Sequence, residues 1–242
     1  MNTEFEYMNQ ITKILDQVYQ VNKENIKIVA NKVADCIMND HLVDIFGTGH
    51  SSLLSTEMYS RAGGLANVNP LLDPVAMMEF GGERSCLMER TSGIADVLYD
   101  YYQIHKDDVM IVISNSGRNA MPIEMAARGK KEGNFVVVLT SYEISKQATS
   151  RHASGKKLYE YGDVILDNCA GYGDCCMNVD GIDTGAVSTI TGAFILHTIE
   201  TEATKIMVEK GFRPYVFQSQ NIANYDNSKV GALFKDRIRH LY

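Results

Sequence analysis

Four short apolar runs, each followed by a loop and then a stretch of helical length, constrain this chain more than any other feature. They are LVDIF (Leu42–Phe46), VMIVI (Val109–Ile113), FVVVL (Phe135–Leu139) and VILD (Val164–Asp167). Strands that do not alternate polar and apolar residues are what a parallel sheet buried on both faces requires. The segment PIEMAARGKKEG between two of the runs has the length of a crossover helix, with Gly133 as its stop. The βαβ alternation predicts an α/β protein with a doubly wound parallel sheet. Before the first run, from about Glu4 to Asn39, apolar residues recur at three- and four-residue steps through Ile11, Ile14, Leu15, Val18 and Val21 to Ile37, with no Pro or Gly. This predicts one long or two shorter amphipathic helices, serving as a cap on the core or as an oligomerisation surface. A single domain is expected, with a helical segment over 1–40, a core over 41–211 and a C-terminal tail over 212–242.

In such a sheet, ligands bind beyond the carboxyl ends of the strands, where the strand order reverses. Three strand ends carry loops suited to that. DIFGTGHSS places Gly47, Thr48, Gly49, His50, Ser51 and Ser52 after the first strand. Its glycines permit a sharp turn and close approach of backbone to ligand, and its hydroxyls supply donors. SNSGRN places Ser114, Asn115, Ser116, Gly117 and Asn119 after the second, and Pro122 fits only the first turn of the helix that follows. Two hydroxyls, backbone amides and a helix N-terminus form a nest for one compact phosphate. Asn119 has a second reading as the helix N-cap. Thr140 and Ser141 end the third strand, where a satisfied turn is an equal reading.

Several classes are excluded. No strand leads into Gly-Lys-Ser/Thr, so a Walker-type nucleotide site is absent. Gly47 and Gly49 start a G-x-G-x-x-G, but Ser52 stands at the third glycine, and Asn67 and Asn69 stand where the next strand would need an acid. No nicotinamide or other cofactor is implied. A net charge of −7 argues against a general nucleic-acid binder. No apolar run has membrane length, and MNTEFEYMNQ has neither the basic nor the apolar region of a signal peptide. The five cysteines include one adjacent pair and no C-x-x-C, so free thiols of a cytoplasmic protein are expected, with no metal site.

Ser-x-Ser-Gly-x-Asn after a buried strand, with an earlier Gly-x-Gly-x-Ser strand end, resembles the SIS (sugar isomerase) phosphosugar-binding domain. Phosphoheptose isomerase, the isomerase half of glucosamine-6-phosphate synthase and N-acetylmuramic acid 6-phosphate etherase share that domain. The resemblance runs from about Leu42 to Gly211. FGTGHSS…RAGGL, SNSGRN and PYVFQSQN together are similar to stand-alone bacterial SIS proteins related to phosphoheptose isomerase. The resemblance implies a flavodoxin-like, five-stranded parallel sheet flanked by helices, in a homodimer or homotetramer, with a small-molecule sugar phosphate as ligand. Ser114, Asn115, Ser116 and Asn119 match the family's phosphate loop, and Thr48 and Ser51 match polar positions of its first loop. Ser188 and Thr189 open the last long helix and are placed either to reach the ligand or to cap that helix.

Aldose–ketose isomerisation needs a base that moves a proton between adjacent carbons through an enediol. Glu57, on the helix leaving the first loop, is a candidate, although it also has an i,i+4 ion-pair reading with Arg61. By the resemblance, the catalytic glutamate lies one turn later, where this chain has Arg61. His50, inside the glycine-rich loop, suits ring opening or proton shuttling, or a backbone hydrogen bond. His197 lies on an apolar helix stripe, which suggests a core residue, yet phosphoheptose isomerases carry a catalytic histidine on the corresponding helix. His50, Glu57 and His197 form a metal site only if they converge. ERSCLMERTSG, with Glu83, Arg84, Glu89 and Arg90, reads as a solvated helix or as a segment meeting a neighbouring subunit's site. RPYVFQSQN is expected to fold back over the site, with Ser219 or Asn221 facing the ligand. The expected function is a phosphosugar isomerase, with a non-catalytic phosphosugar sensor and an etherase or lyase on an amino-sugar phosphate as alternatives.

Overall fold

The computed structural model describes residues 4–241. Five parallel strands form the central sheet: β1 (Val43–Gly47), β2 (Val68–Pro70), β3 (Val109–Ile113), β4 (Phe135–Thr140) and β5 (Val164–Asp167). Their order is β2-β1-β3-β4-β5. The chain leaves β1 for β2 on one side and then crosses to β3 on the other, so the order reverses between β1 and β3. β2 is short and carries Pro70, which an edge strand tolerates because its outer amide row needs no partner.

Alternate residues of the strands feed two different cores. Val43, Ile45, Ile111, Ile113 and Leu139 pack with α1 (Glu6–Met38), α2 (Ser52–Met58) and α7 (Ser188–Glu209). Phe46, Met110, Val112 and Val138 pack on the other face with α4 (Ile94–Tyr101) and α5 (Ala120–Glu132). This is why the strand sequences do not alternate: both faces are dry.

The N-terminal segment is one helix of 33 residues, burying Val18, Ile26, Val29, Val33 and Ile37. It also buries Asn22, and the reason is the sheet edge. Asn22 Nδ2 donates to the Asp167 carbonyl at 2.7 Å, Asn22 Oδ1 accepts the Asp167 amide at 2.8 Å, and Asn25 donates to the Ile165 carbonyl at 2.8 Å. Two amide side chains thus pair the exposed backbone of β5, which blunts an edge that would otherwise recruit another strand.

A hairpin absent from the sequence reading, β6 (Cys175–Val179) and β7 (Ile182–Ala186), turns at Asp180–Gly181, both at positive φ. The two remaining α-helices before it are α3 (Gly82–Met88) and α6 (Tyr142–Gln147). The tail corrects an expectation. It does not cover the loops, because Phe217, Val230, Phe234 and Ile238 are buried against Leu42 and Ala66, near the start of β1. The Tyr215 and Phe217 carbonyls accept the Ala66 and Gly63 amides at 2.9 and 2.8 Å. Ser219 is half-buried and Asn221 exposed, and both stay outside the site. No helix among the described residues is long and apolar enough to cross a membrane.

Candidate functional site

A cavity of about 980 Å³ opens at the carboxyl ends of β1 and β3, where the strand order reverses. The first loop contributes Thr48, Gly49, His50 and Ser51 to its wall, the second Ser114, Asn115, Ser116 and Asn119, and α7 contributes Ser188 and Thr189. Five of the expected binding residues do not line it and instead shape the loops. A Cβ on Gly47 would fall 2.4 Å from the Ser51 carbonyl oxygen, and Ser52 Oγ donates to the Gly49 carbonyl at 2.8 Å. Gly117 sits at φ +58°, and a Cβ there would fall 2.5 Å from Ser145 Oγ. Thr140 Oγ1 donates to the Asn115 carbonyl at 3.1 Å, and Ser141 Oγ donates to the Ala170 carbonyl at 2.6 Å. Both are buried and hold the second loop against β4, in keeping with the satisfied-turn reading.

Residues that the sequence did not assign to the ligand site complete the wall. Glu89 directly follows α3 and turns inward: Thr48 Oγ1 donates to its Oε2 at 2.8 Å and Asn119 Nδ2 donates to its Oε1 at 2.6 Å. Burial pushes its carboxyl above the ordinary range, against the opposing pull of the Thr48 bond and of Arg90 and Arg151. Asn119 therefore does not cap α5. Its side chain is engaged by Glu89 and by Arg151 Nη1, which donates to Asn119 Oδ1 at 3.1 Å. Arg118 also lines the cavity, and its Nε is buried with no partner among the described residues. Burial first, and then Arg118 and Arg90, hold the Arg151 guanidinium below its ordinary range. Arg90, Arg118 and Arg151 thus concentrate positive charge beside this site in a chain that is acidic as a whole.

Asp174 is the other carboxylate on the wall. Its Oδ1 accepts the Ser188 amide at 2.7 Å and its Oδ2 accepts Ser188 Oγ at 2.7 Å, so an acid outside the helix satisfies the start of α7. Ser188 is the donor in this contact and caps nothing itself.

Glu57 and His197 come together, but outside the cavity. His197 Nε2 is 3.0 Å from Glu57 Oε1 and its Nδ1 is 3.2 Å from Glu200 Oε2, while Glu57 is ion-paired with Arg61. His50 stays on the cavity wall and does not join them. Among the described residues, the group close enough to share a metal ion is His41, His105 and Asp107. It lies before β1 and β3, at the opposite ends of those strands. All five cysteines are free.

The SIS domain family profile matches residues 6–141. Two UPF0309 proteins of Halalkalibacterium halodurans are 37% identical over 98% of this chain and 96% of their own length, and 40% identical over 91% and 89%. Among solved structures, phosphoheptose isomerase GmhA from Neisseria gonorrhoeae superposes with a TM-score of 0.55 at 15% identity, over 82% of this chain and 95% of that one. The Vibrio vulnificus NanR protein complexed with ManNAc-6P superposes with a TM-score of 0.51 at 14% identity, over 85% of this chain, which spans 62% of NanR. At such identities the structural likeness concerns the fold. The profile match over more than half the chain, joined to relatives that align along nearly all of it, makes this protein a member of the SIS domain family.

Proposed function

We propose that the cavity binds a phosphorylated sugar, phosphate on the β3–α5 turn and sugar toward the β1–α2 loop, and that the protein is an aldose–ketose phosphosugar isomerase. The observation that carries the reading is the β3–α5 turn. There Ser114, Ser116 and Arg118 face one cavity at the head of a 13-residue helix, whose N-terminus favours negative charge. The buried, unpartnered Arg118 Nε is a donor that an anionic ligand would satisfy. The same fold carries phosphoheptose isomerase GmhA and holds ManNAc-6P in NanR, which supports a sugar phosphate over other anions. His50 is the expected catalytic side chain that reaches the cavity. Glu57 and His197 touch a ligand there through no contact that this chain provides.

Calorimetric titration with ribose 5-phosphate, glucose 6-phosphate, fructose 6-phosphate and sedoheptulose 7-phosphate, alongside the free sugars, tests the reading. Binding of one or more phosphates, with no binding of the matching free sugar, is expected. Ser116→Ala should weaken it by about tenfold, the equivalent of about 1.4 kcal/mol. Equal binding of phosphorylated and free sugars would overturn it. A sensor without turnover is the second reading, favoured by the position of Glu57 and His197 outside the cavity. Binding without any isomerisation would select it.

A further inference from the structure

Two carboxylates line the cavity, and their surroundings divide their roles. Asp174 is committed to the start of α7, accepting the Ser188 amide and hydroxyl at 2.7 Å each and the Val187 amide at 3.3 Å. The Glu89 carboxylate accepts no amide of a helix end; only the residue's backbone carbonyl does so, taking the Met121 amide of α5 at 3.0 Å. Each of its oxygens accepts one hydrogen bond, from Thr48 on the loop after β1 and from Asn119 on the turn after β3. Both donors are themselves cavity-lining side chains. The carboxylate therefore bridges the two loops across the point of strand reversal, between the places where the sugar and its phosphate would sit. Each oxygen keeps a lone pair, and two bonds from fixed loops hold the group in one orientation, as proton transfer from carbon demands.

We propose that Glu89 is the base that moves the proton between C1 and C2 of the bound sugar phosphate. The inference rests on the phosphosugar reading above. In the open-chain aldose, a Glu89 oxygen takes the proton from C2, the C–H electron pair becomes the C1–C2 double bond, and the carbonyl pair passes to O1, which takes a proton from the His50 imidazolium. In the second half, Glu89 returns its proton to C1, the double-bond pair forms the new C1–H bond, and O2 closes to a carbonyl as its proton goes back to His50. Both groups end as they began, with no oxidant or reductant consumed. Burial already raises the Glu89 carboxyl, which makes its anion a stronger base than a solvated carboxylate. Glu57 has no such position: it is ion-paired with Arg61 away from the cavity.

The test separates binding from proton transfer. Wild type, Glu89→Gln and Glu89→Asp are titrated with the four sugar phosphates named above. Incorporation of solvent deuterium at C2 of the aldose phosphates, and at C1 of the ketose phosphates, is then followed by proton NMR in D₂O. Wild type is expected to bind and exchange. Glu89→Gln should bind within about tenfold of wild type and lose exchange by at least about 100-fold. Glu89→Asp keeps the carboxylate one methylene short, should bind similarly and should retain exchange above the Gln variant. Thermal unfolding of each variant confirms that the comparison is between folded proteins, and the Asp variant serves if the Gln variant does not fold. Exchange at the wild-type rate in both variants overturns the role of Glu89 and leaves the phosphosugar reading standing. Wild-type binding without exchange of any sugar phosphate overturns it too. Wild type that binds none of them overturns the phosphosugar reading itself.

Discussion

His197 and Glu57, 140 positions apart in the chain, meet with Nε2 3.0 Å from Oε1, and Glu200 holds the other ring nitrogen at 3.2 Å. The cluster fastens α7 to α2 and to the segment before β2, because Glu200 Oε1 also accepts the Leu65 amide at 2.7 Å.

Its members should contribute unequally to stability. Glu57 and Arg61 are each about 40% exposed at the side chain, so solvent screens their pairing, and Glu57→Gln should cost less than about 1 kcal/mol. Glu200 is 11% exposed at its side chain, and Glu200→Ala should cost about 1–3 kcal/mol by orphaning the buried Leu65 amide. Urea unfolding measures both. Sugar phosphate affinity should be unchanged in each, since neither residue lines the cavity.

Gly117→Ala and Gly63→Ala form a matched pair. Both glycines have positive φ, +58° and +81°, so each substitution should cost about 1–3 kcal/mol in backbone strain. Only at Gly117 does the new Cβ meet another group, Ser145 Oγ at 2.5 Å, while Gly63 has nothing within 4 Å. Gly117→Ala should therefore also displace the β3–α5 turn and weaken sugar phosphate binding in calorimetry, and Gly63→Ala should not.

Asp44 and Asn69 face each other in register on β1 and β2, both fully buried. Asn69 Nδ2 donates to Asp44 Oδ1 at 2.7 Å, yet among the described residues Asp44 Oδ2 and Asn69 Oδ1 have no partner. A proton on Asp44 Oδ2 resolves both orphans by making the pair reciprocal. Burial first, and Asp108 second, raise the Asp44 carboxyl well above its usual range. Because the folded state holds this proton more tightly than the unfolded chain, the contribution is full below the unfolded value, near 3.8. It is lost as pH rises through the folded value. Melting temperature should therefore fall with rising pH above about 4 more steeply in wild type than in Asp44→Asn, where an amide pair replaces the acid.

Val21 and Ile28, one heptad apart on α1, are 54% and 48% exposed, on a helix that buries Val18, Ile26, Val29, Val33 and Ile37. A homodimer or homotetramer would use such positions. Light scattering should then give a mass above that of one chain, and Val21→Asp should lower it.

Much of the fold was legible because continuous apolar strands and uninterrupted helix periodicity are local signals. All four strands read from the sequence are present, as is the α5 stop at Gly133 with φ +103°. The β6–β7 hairpin was not read: its turn, Asp180–Gly181 in Val-Asp-Gly-Ile, is a two-residue signal, but its strands are too polar to declare themselves. β2 is three residues long and forms no apolar run, so only the expectation of a next strand at Asn67 and Asn69 and the family's strand count pointed to it.

The site divides along the same line. By itself, the sequence determined the two loops, because each is built from consecutive residues after a strand, and Thr48 to Ser51 and, save Gly117, Ser114 to Asn119 line the cavity in their own order. Tertiary structure alone decided which side chains share the cavity. Glu89 comes from a charged segment that reads as solvated, and it enters the wall only because β1 and β3 are neighbours and present Thr48 and Asn119 to it. Glu57 lies five residues beyond the first loop, yet the direction of α2 carries it to α7 and out of the cavity. Sequence spacing sets which residues lie near a strand end, but only the packing of helices against the sheet sets where their side chains point.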